Sequence, residues 1–357
     1  MGPRFRGGDK FCRCVRFMSG AVQISGNALG ASLGEEFHVQ RGGGLAPAVL
    51  QELNRQLDWK SALSVLVTVA VLAGAGAAAI VWWSWAIVPA LFVIVSRQHS
   101  LAILAHDATH YRLFKRRLAN EIVGRLCGYP IGVSMCTYRL VHRLHHNHLY
   151  TKQDPDIPLM AGYPRGRWYL AKKLLTDLAG LTAHKNYAYF FGAPGVNTET
   201  NAAVKPLGDT SPRLRRQALI DRWIMVAMQV AMLAAAIATG WWLEYLVLWI
   251  LPLVTLFQVL LRIRAVLEHG APAGYASAKE AARTNLCPAW LAWLLFPHSV
   301  NFHIEHHLYP AIPHYNLRRA HRLLVENGAL AGAEVRPVFG TFRRVFADRP
   351  AKAAAAA

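Results

Sequence analysis

The sequence predicts an all-α integral membrane protein: four transmembrane helices in two hairpins, with a histidine-rich helical cap on the cytoplasmic side. Three observations carry this expectation. Hydrophobic residues make up 54% of the 357, with a mean hydropathy of +0.22, although the chain holds 39 Lys and Arg. The apolar and basic residues are segregated: residues 61–96 contain no charge, and from Trp223 to Leu261 the only charge is Glu244. Half of the 16 histidines fall into three short clusters. A soluble core helix rarely exceeds about 14 wholly apolar residues, whereas a bilayer span takes roughly 20. Each uncharged stretch is therefore long enough for two spans.

Taken in order, residues 1–45 read as a flexible N-terminal tail. Residues 1–17 are basic, glycine-rich and aperiodic, lack the apolar core of a signal peptide, and leave Met18 as an alternative start. From Ala46 to Trp59, Val49, Leu50, Leu53 and Leu57 recur at helical spacing, as in an amphipathic helix on a membrane surface. The first span is expected from Ala62 to Trp82 and the second from Trp85 to the first histidine cluster. Trp82, Trp83 and Trp85 would form an interfacial belt between them. A helix from Asn120 follows, bent at Gly128, Pro130 and Gly132.

Residues 166–183 suggest a second interfacial helix, with Leu170, Leu174, Leu178 and Leu181 on one side and Lys172, Lys173 and Asp177 on the other. Residues 192–212 read as a loop. The third span is expected from Trp223 to Gly240, with a turn at Trp241–Glu244 and a fourth span to Leu267. Residues 289–297 are too short to span and would dip into the interface. A folded unit of 46–327 would then end in a polar, alanine-rich tail over 328–357.

The net charge of +19 could suggest nucleic acid. The basic residues border the apolar stretches, however, and no nucleic-acid-binding module is recognisable, so no nucleic-acid partner is expected. Neither short outer turn carries Lys or Arg, whereas Arg112, Lys115, Arg116 and Arg117 follow the second span. The positive-inside rule puts both termini and the histidines in the cytoplasm. The five cysteines show no regular framework and read as reduced structural residues.

The chemistry lies in the histidines. His142, His145 and His146 have the spacing HxxHH, which on a helix brings three imidazoles to one face. HDATH places His106 and His110 at i and i+4, and HIEHH repeats HxxHH with His303, His306 and His307. Neutral imidazole is the commonest protein ligand for transition metals. Eight are too many for one tetrahedral zinc and suit a two-metal site.

These boxes resemble those of the integral-membrane fatty acid desaturase and hydroxylase superfamily, over about Leu101 to Leu317. The stretch NFHIEHHLYPAIPHYNL (301–317) is similar to the third box of the fatty-acid desaturase branch. The second box with its trailing DPD also resembles that of carotenoid ketolases and hydroxylases. The resemblance implies two irons held by the eight box histidines, with O2 as co-substrate. It implies a ninth ligand between the last span and the third box, for which His269 is the candidate. His148, His298 and His314 flank the boxes outside that spacing.

Ligand histidines need their second nitrogen oriented, and two irons need compensating charge. Asp107, Asp154, Asp156, Glu268 and Glu305 are the available carboxylates, although Asp154-Pro155-Asp156 could equally be an ordinary turn. Arg97 and His99 lie inside the second span, where charge generally faces a cavity. They are candidates for a substrate channel or a headgroup contact, with snorkelling and inter-helix hydrogen bonding as the alternative.

The implied activity is O2-dependent oxidation of a C–H bond in a lipid chain, most simply fatty acyl desaturation. Hydroxylation or ketolation of a carotenoid or alkyl substrate, oxidative decarboxylation of a fatty acid to a terminal alkene, and a non-enzymatic metal-binding membrane protein remain open. No haem, flavin or dinucleotide motif is visible, so electrons are expected from a separate carrier, a ferredoxin or cytochrome, with its reductase.

Overall fold

The computed structural model describes residues 44–191, 195–197, 202–204 and 210–348. Residues 1–43 of the expected N-terminal tail, the end of the C-terminal tail and most of the 192–212 loop lie outside them. The protein is mostly helical and spans the membrane. Four helices are long and apolar enough to cross a bilayer: Asp58–Val81, Trp83–Thr109, Pro212–Ala238 and Trp242–His269.

The second span is the axis. Two thirds (67%) of its most apolar window is buried, against 11% for the first span, and every residue from Ile94 to Thr109 is inside. It packs on the first and fourth spans and on the helices Arg117–Gly128 and Met135–Asn147. Leu101, Leu104, Ala105 and Ala108 meet Ile131, Met135, Leu253, Phe257 and Leu260 in the main core. The first span instead turns Leu63, Leu66, Val67 and Val69 outward, as a lipid-facing helix should.

The fourth span is broken. Leu246–Ile250 is π-helical, Pro252 has no N–H to offer, and Thr255 leaves helical geometry at φ −121°, ψ −91°. Carbonyls freed within apolar surroundings need internal donors. The Gln98 side chain donates to the Trp249 carbonyl at 3.0 Å and that of Gln258 to Leu253 at 2.7 Å. The turn after Gly128 is served likewise: the Trp249 indole donates to Pro130 at 2.9 Å and the Gln229 amide to Tyr129.

Several expectations are corrected. The third span starts at Pro212, not Trp223, because Ser211 caps it by accepting the Leu214 N–H at 3.3 Å. Its first turns can then carry Asp221, which accepts from Arg125, Tyr129, Ser134 and the Cys136 amide at 2.6–3.0 Å. The helix expected over 46–59 is only Pro47–Leu53. Its Leu53 is buried among Ile304, Leu317 and Leu324, so its apolar face is covered by protein. Gly128, Pro130 and Gly132 end a helix rather than bend it: a 3-10 turn over Tyr129–Ile131 and a left-handed Gly132 (φ 76°) separate it from the next.

Asp177 falls on the buried side of Arg167–Leu178, beneath Leu170, paired with Arg262 of the fourth span and accepting from Thr182 at 2.6 Å. The expected tail from 328 is folded as far as Asp348. Val335–Pro337 pairs in parallel with Thr284–Leu286, and Val338, Thr341 and Val345 of the next helix are buried. Glu334 organises this region by holding Arg283, Arg336 and Arg344. Gly195–Asn197 and Ala202–Val204 form a second, antiparallel pair inside the expected loop. Cys127 and Cys287 are free thiols.

Candidate metal centre

Four segments bring the histidines together. The second span ends at Thr109 with His106 in its last turn and His110 capping it. Ser134 caps Met135–Asn147, accepting from the Thr137 N–H, and so sets the phase that aims His142, His145 and His146. Ser134 itself donates to Asp221, which ties this helix to the third span. His269 is the last residue of the fourth span, and the six-residue helix His303–Leu308 supplies the third box.

Nine imidazoles result, in two groups. His106, His110, His142, His146 and His306 form one, and His145, His269, His303 and His307 the other. Within each, one ligand atom per residue lies within 4.8 Å of all the rest. In the first group, His142 Nε2 faces His106 Nε2 at 2.7 Å and His146 Nε2 at 2.8 Å, and His146 faces His306 at 2.9 Å. In the second, His303 Nε2 faces His269 at 2.8 Å and His307 at 3.1 Å.

Nitrogens bound at about 2.1 Å to one ion stand roughly 3 Å apart, which is the spacing found. Converging lone pairs repel unless a cation lies among them. His110 Nε2, buried without a hydrogen-bond partner among the described residues, is a further ligand atom awaiting one. The donor set fits transition metal ions, and the two histidine groups are arranged as a metal site would require. His148 belongs to neither group.

Burial favours the neutral imidazole, the form that ligates. Outside the spans it pushes His110 down to about 3 and holds His142, His146, His303, His306 and His307 well below the ordinary value, with neighbouring imidazoles adding to the effect. His145 runs the other way. Burial lowers it, but Asp154 and then Asp156 outweigh that and hold it up to about 9. Such a carboxylate behind a ligand ring raises its basicity.

The carboxylates divide by what they touch. Asp154 accepts from His145 Nδ1 at 3.0 Å while also accepting the Tyr150 and Asp156 amides, so turn and ring support are one device. Asp156 lies 3.6 Å from the same nitrogen. Asp107 contacts His106 Nδ1 at 3.4 Å and, more closely, His314 Nδ1 at 2.7 Å. Glu268, held by Arg264, faces His303 Nε2 at 3.7 Å, on the metal side of that ring rather than behind it. Glu305 touches none of the nine. It accepts from Thr284 and His321 Nδ1, both at 2.6 Å, and braces the third-box helix from outside.

His321 escaped the sequence reading. The available signal was its position seven residues after His314, on the face that buries Leu317 and Leu324 of His314–Glu326.

A narrow cavity of about 170 Å³ reaches His106, His142, His145, His269 and His303. Tyr138, Met160 and Leu261 form apolar walls, and Asn186, Gln258 and Arg262 lie among its polar lining. Neither Arg97 nor His99 lines it. His99 meets Arg264 at 3.3 Å, and Arg97 binds the Trp293 carbonyl on another side of the second span.

Residues 80–339, which include all nine histidines, match the family described as fatty acid desaturase. Similar proteins include the dihydrorhizobitoxine desaturase of Bradyrhizobium elkanii, 26% identical over 302 residues that cover 79% of this chain and 81% of that protein. The sn-1 oleoyl-lipid 12-desaturase of Synechocystis sp. is 26% identical over 290 residues, 75% of this chain and 76% of that protein. The chloroplastic omega-6 fatty acid desaturase of Spinacia oleracea is 24% identical over 248 residues, 63% of this chain and 50% of that protein.

Proposed function

The chain belongs to the fatty acid desaturase family, and from that membership we propose that it uses O2 and two irons to introduce a double bond into a fatty acyl chain. The observation that carries this is the sorting of nine imidazoles, six buried and three half-buried, into two groups beside one cavity. His106, His110, His142, His146 and His306 would hold one iron, and His145, His269, His303 and His307 the other. When bound, such a pair supplies the activation of O2 needed to remove hydrogen from an unactivated carbon.

The protein's own residues do the rest. Asp154 and Asp107 fix ring orientation from behind, and the Ala281 carbonyl accepts His269 Nδ1–H at 3.1 Å. Glu268 brings negative charge to the centre and is kept in place by Arg264. The walls at Tyr138, Met160 and Leu261 would seat the reacting carbons and exclude water.

Relatives named for dihydrorhizobitoxine and for oleoyl lipid share the word desaturase, which favours double-bond formation over hydroxylation. Desaturation takes two electrons from the chain, whereas O2 accepts four. The other two would come from a separate ferredoxin or cytochrome and its reductase. The absence of Lys and Arg from the Trp82–Trp85 and Trp241–Glu244 turns supports two hairpins, with both termini and a helical cap carrying the histidines on the cytoplasmic side.

Lipid mass spectrometry of a host membrane, with the wild type or His145→Ala expressed, tests the reading. New double bonds with the wild type alone are expected. Hydroxylated or keto products, or terminal alkenes, would replace desaturation by those chemistries. Iron binding without O2 consumption would reduce the protein to a metal-binding one.

A further inference from the structure

We infer that a second cavity, built around Arg97, binds the phosphate group of an anionic membrane lipid. It measures about 360 Å³, within the range of small-ligand pockets (about 300–1,000 Å³). It lies between the first span, the second span and the helix Ala289–Leu295, and shares no lining residue with the cavity at the imidazoles.

Arg97 is the reason to expect an anion. It is 3% exposed, yet no carboxylate pairs with it among the described residues. Its Nη2 donates to Ser96 Oγ at 2.7 Å and to the Trp293 carbonyl at 2.5 Å, and its guanidinium lies 4.1 Å from the Trp293 ring centre. Its Nε–H is buried and finds no acceptor. Buried Arg283, by contrast, is neutralised by Glu334, and the half-buried Arg264 by Glu268. A buried cation left with neutral partners alone is costly in a protein and more so in a membrane. The planar guanidinium is suited to a phosphate, and a phosphate would supply the missing charge.

The remaining walls fit that ligand. Thr68, His298 and Asn301 add polar groups, and the exposed Arg318 stands at the rim as a second cation. Arg97 follows Trp83 by fourteen residues, or about 21 Å of helix, in a hydrocarbon layer roughly 30 Å thick. This brings it towards the histidine end of the span, beside the exposed Trp293. Aromatic side chains of that kind mark headgroup level. Leu63 and Val67 complete the lining and are themselves exposed on the lipid-facing first span. A phosphate in the cavity could therefore keep its acyl chains along that span, which favours a lipid over free phosphate.

The test is saturable thermal stabilisation of the purified full-length protein in detergent. The probes are short-chain phosphatidic acid, inorganic phosphate and a short-chain diacylglycerol. Phosphatidic acid should stabilise saturably, inorganic phosphate should bind at least about tenfold more weakly, and the uncharged diacylglycerol should have no saturable effect. Arg97→Gln should weaken phosphatidic acid binding at least about tenfold and leave bound iron unchanged. Arg318→Gln, on the exposed rim, should weaken it by a smaller factor, and it carries the test if the Arg97 variant does not fold. Absence of saturation in the wild type would overturn the site. Inorganic phosphate binding as tightly would overturn the lipid assignment, and wild-type affinity in a folded variant would overturn the role of that arginine.

Discussion

Asp154 takes the Nδ1 hydrogen of His145 at 3.0 Å, and the same carboxylate closes the turn that follows by accepting the amides of Tyr150 and Asp156. The loop geometry and the aim of one imidazole therefore depend on a single side chain. Asp154→Asn should lower metal affinity by about 10- to 100-fold, read as iron retained through purification. Iron at the wild-type level would show that Asp154 serves the turn alone.

His269 lies outside every box yet faces His303 at 2.8 Å. His269→Ala should lose iron as fully as His145→Ala, whereas His148→Ala should retain it. Metal analysis of the three purified variants checks this, and equal retention by His269→Ala and His148→Ala would remove His269 from the ligand set.

Asp221 gathers four donors at the base of the second-box helix. Asp221→Ala would leave Arg125 with Glu121 as its one carboxylate among the described residues and strip the Ser134 cap of its support. Breaking a buried charge network of this kind costs about 3–5 kcal/mol. The thermal midpoint in detergent should fall sharply, and an unchanged midpoint would contradict the assignment.

Glu334 gives a pH prediction. Burial opposes its charge, but Arg336, Arg283 and Arg344 outweigh that and hold it down at about 2, against an ordinary 4.5. The unfolded chain binds this proton first, so the contribution is complete above about pH 4.5 and fades as pH falls towards 2. Glu334→Gln should be less stable at neutral pH and should lose this part of the acid sensitivity. A wild type and variant whose difference in midpoint stays constant from pH 6 to pH 3 would refute it.

Of the four basic residues after the first box, Arg117 stacks on Tyr111 and Arg112 is half-buried, while Lys115 and Arg116 are exposed. Exposed charges set encounter rate and are screened over about 10 Å at roughly 0.1 M salt. Reversing Lys115 and Arg116 to Glu should slow turnover at limiting ferredoxin and flatten its dependence on salt. If rate and slope both persist, these residues anchor the helix to lipid headgroups instead.

The sequence made the local features legible. Imidazole spacing along single helices picked out the eight box histidines that the fold gathers, the family resemblance pointed to His269, and hydropathy located all four spans. Features that depend on distant partners were not legible. Asp177 was assigned to the solvent side by its charge, although 170, 174 and 177 form one helical stripe, because Arg262 lies 85 residues away. Asp221 was hidden by a span start read from hydropathy rather than from the Ser211 cap. The pairing of Glu305 with His321, and the packing of Leu53 on the His314–Glu326 helix, repeat with no local period at all.

That last helix has a consequence for how the protein is made. His314 holds Asp107 and His321 holds Glu305, so the first and third boxes are both braced by residues that follow all nine histidines in the chain. For most of synthesis, His106 through His146 are present without the partners that gather them, and metal sites rarely exist before their fold does. Loading is therefore expected to wait until this helix has been made. A nascent chain stalled before residue 321 should insert its spans and yet carry no metal.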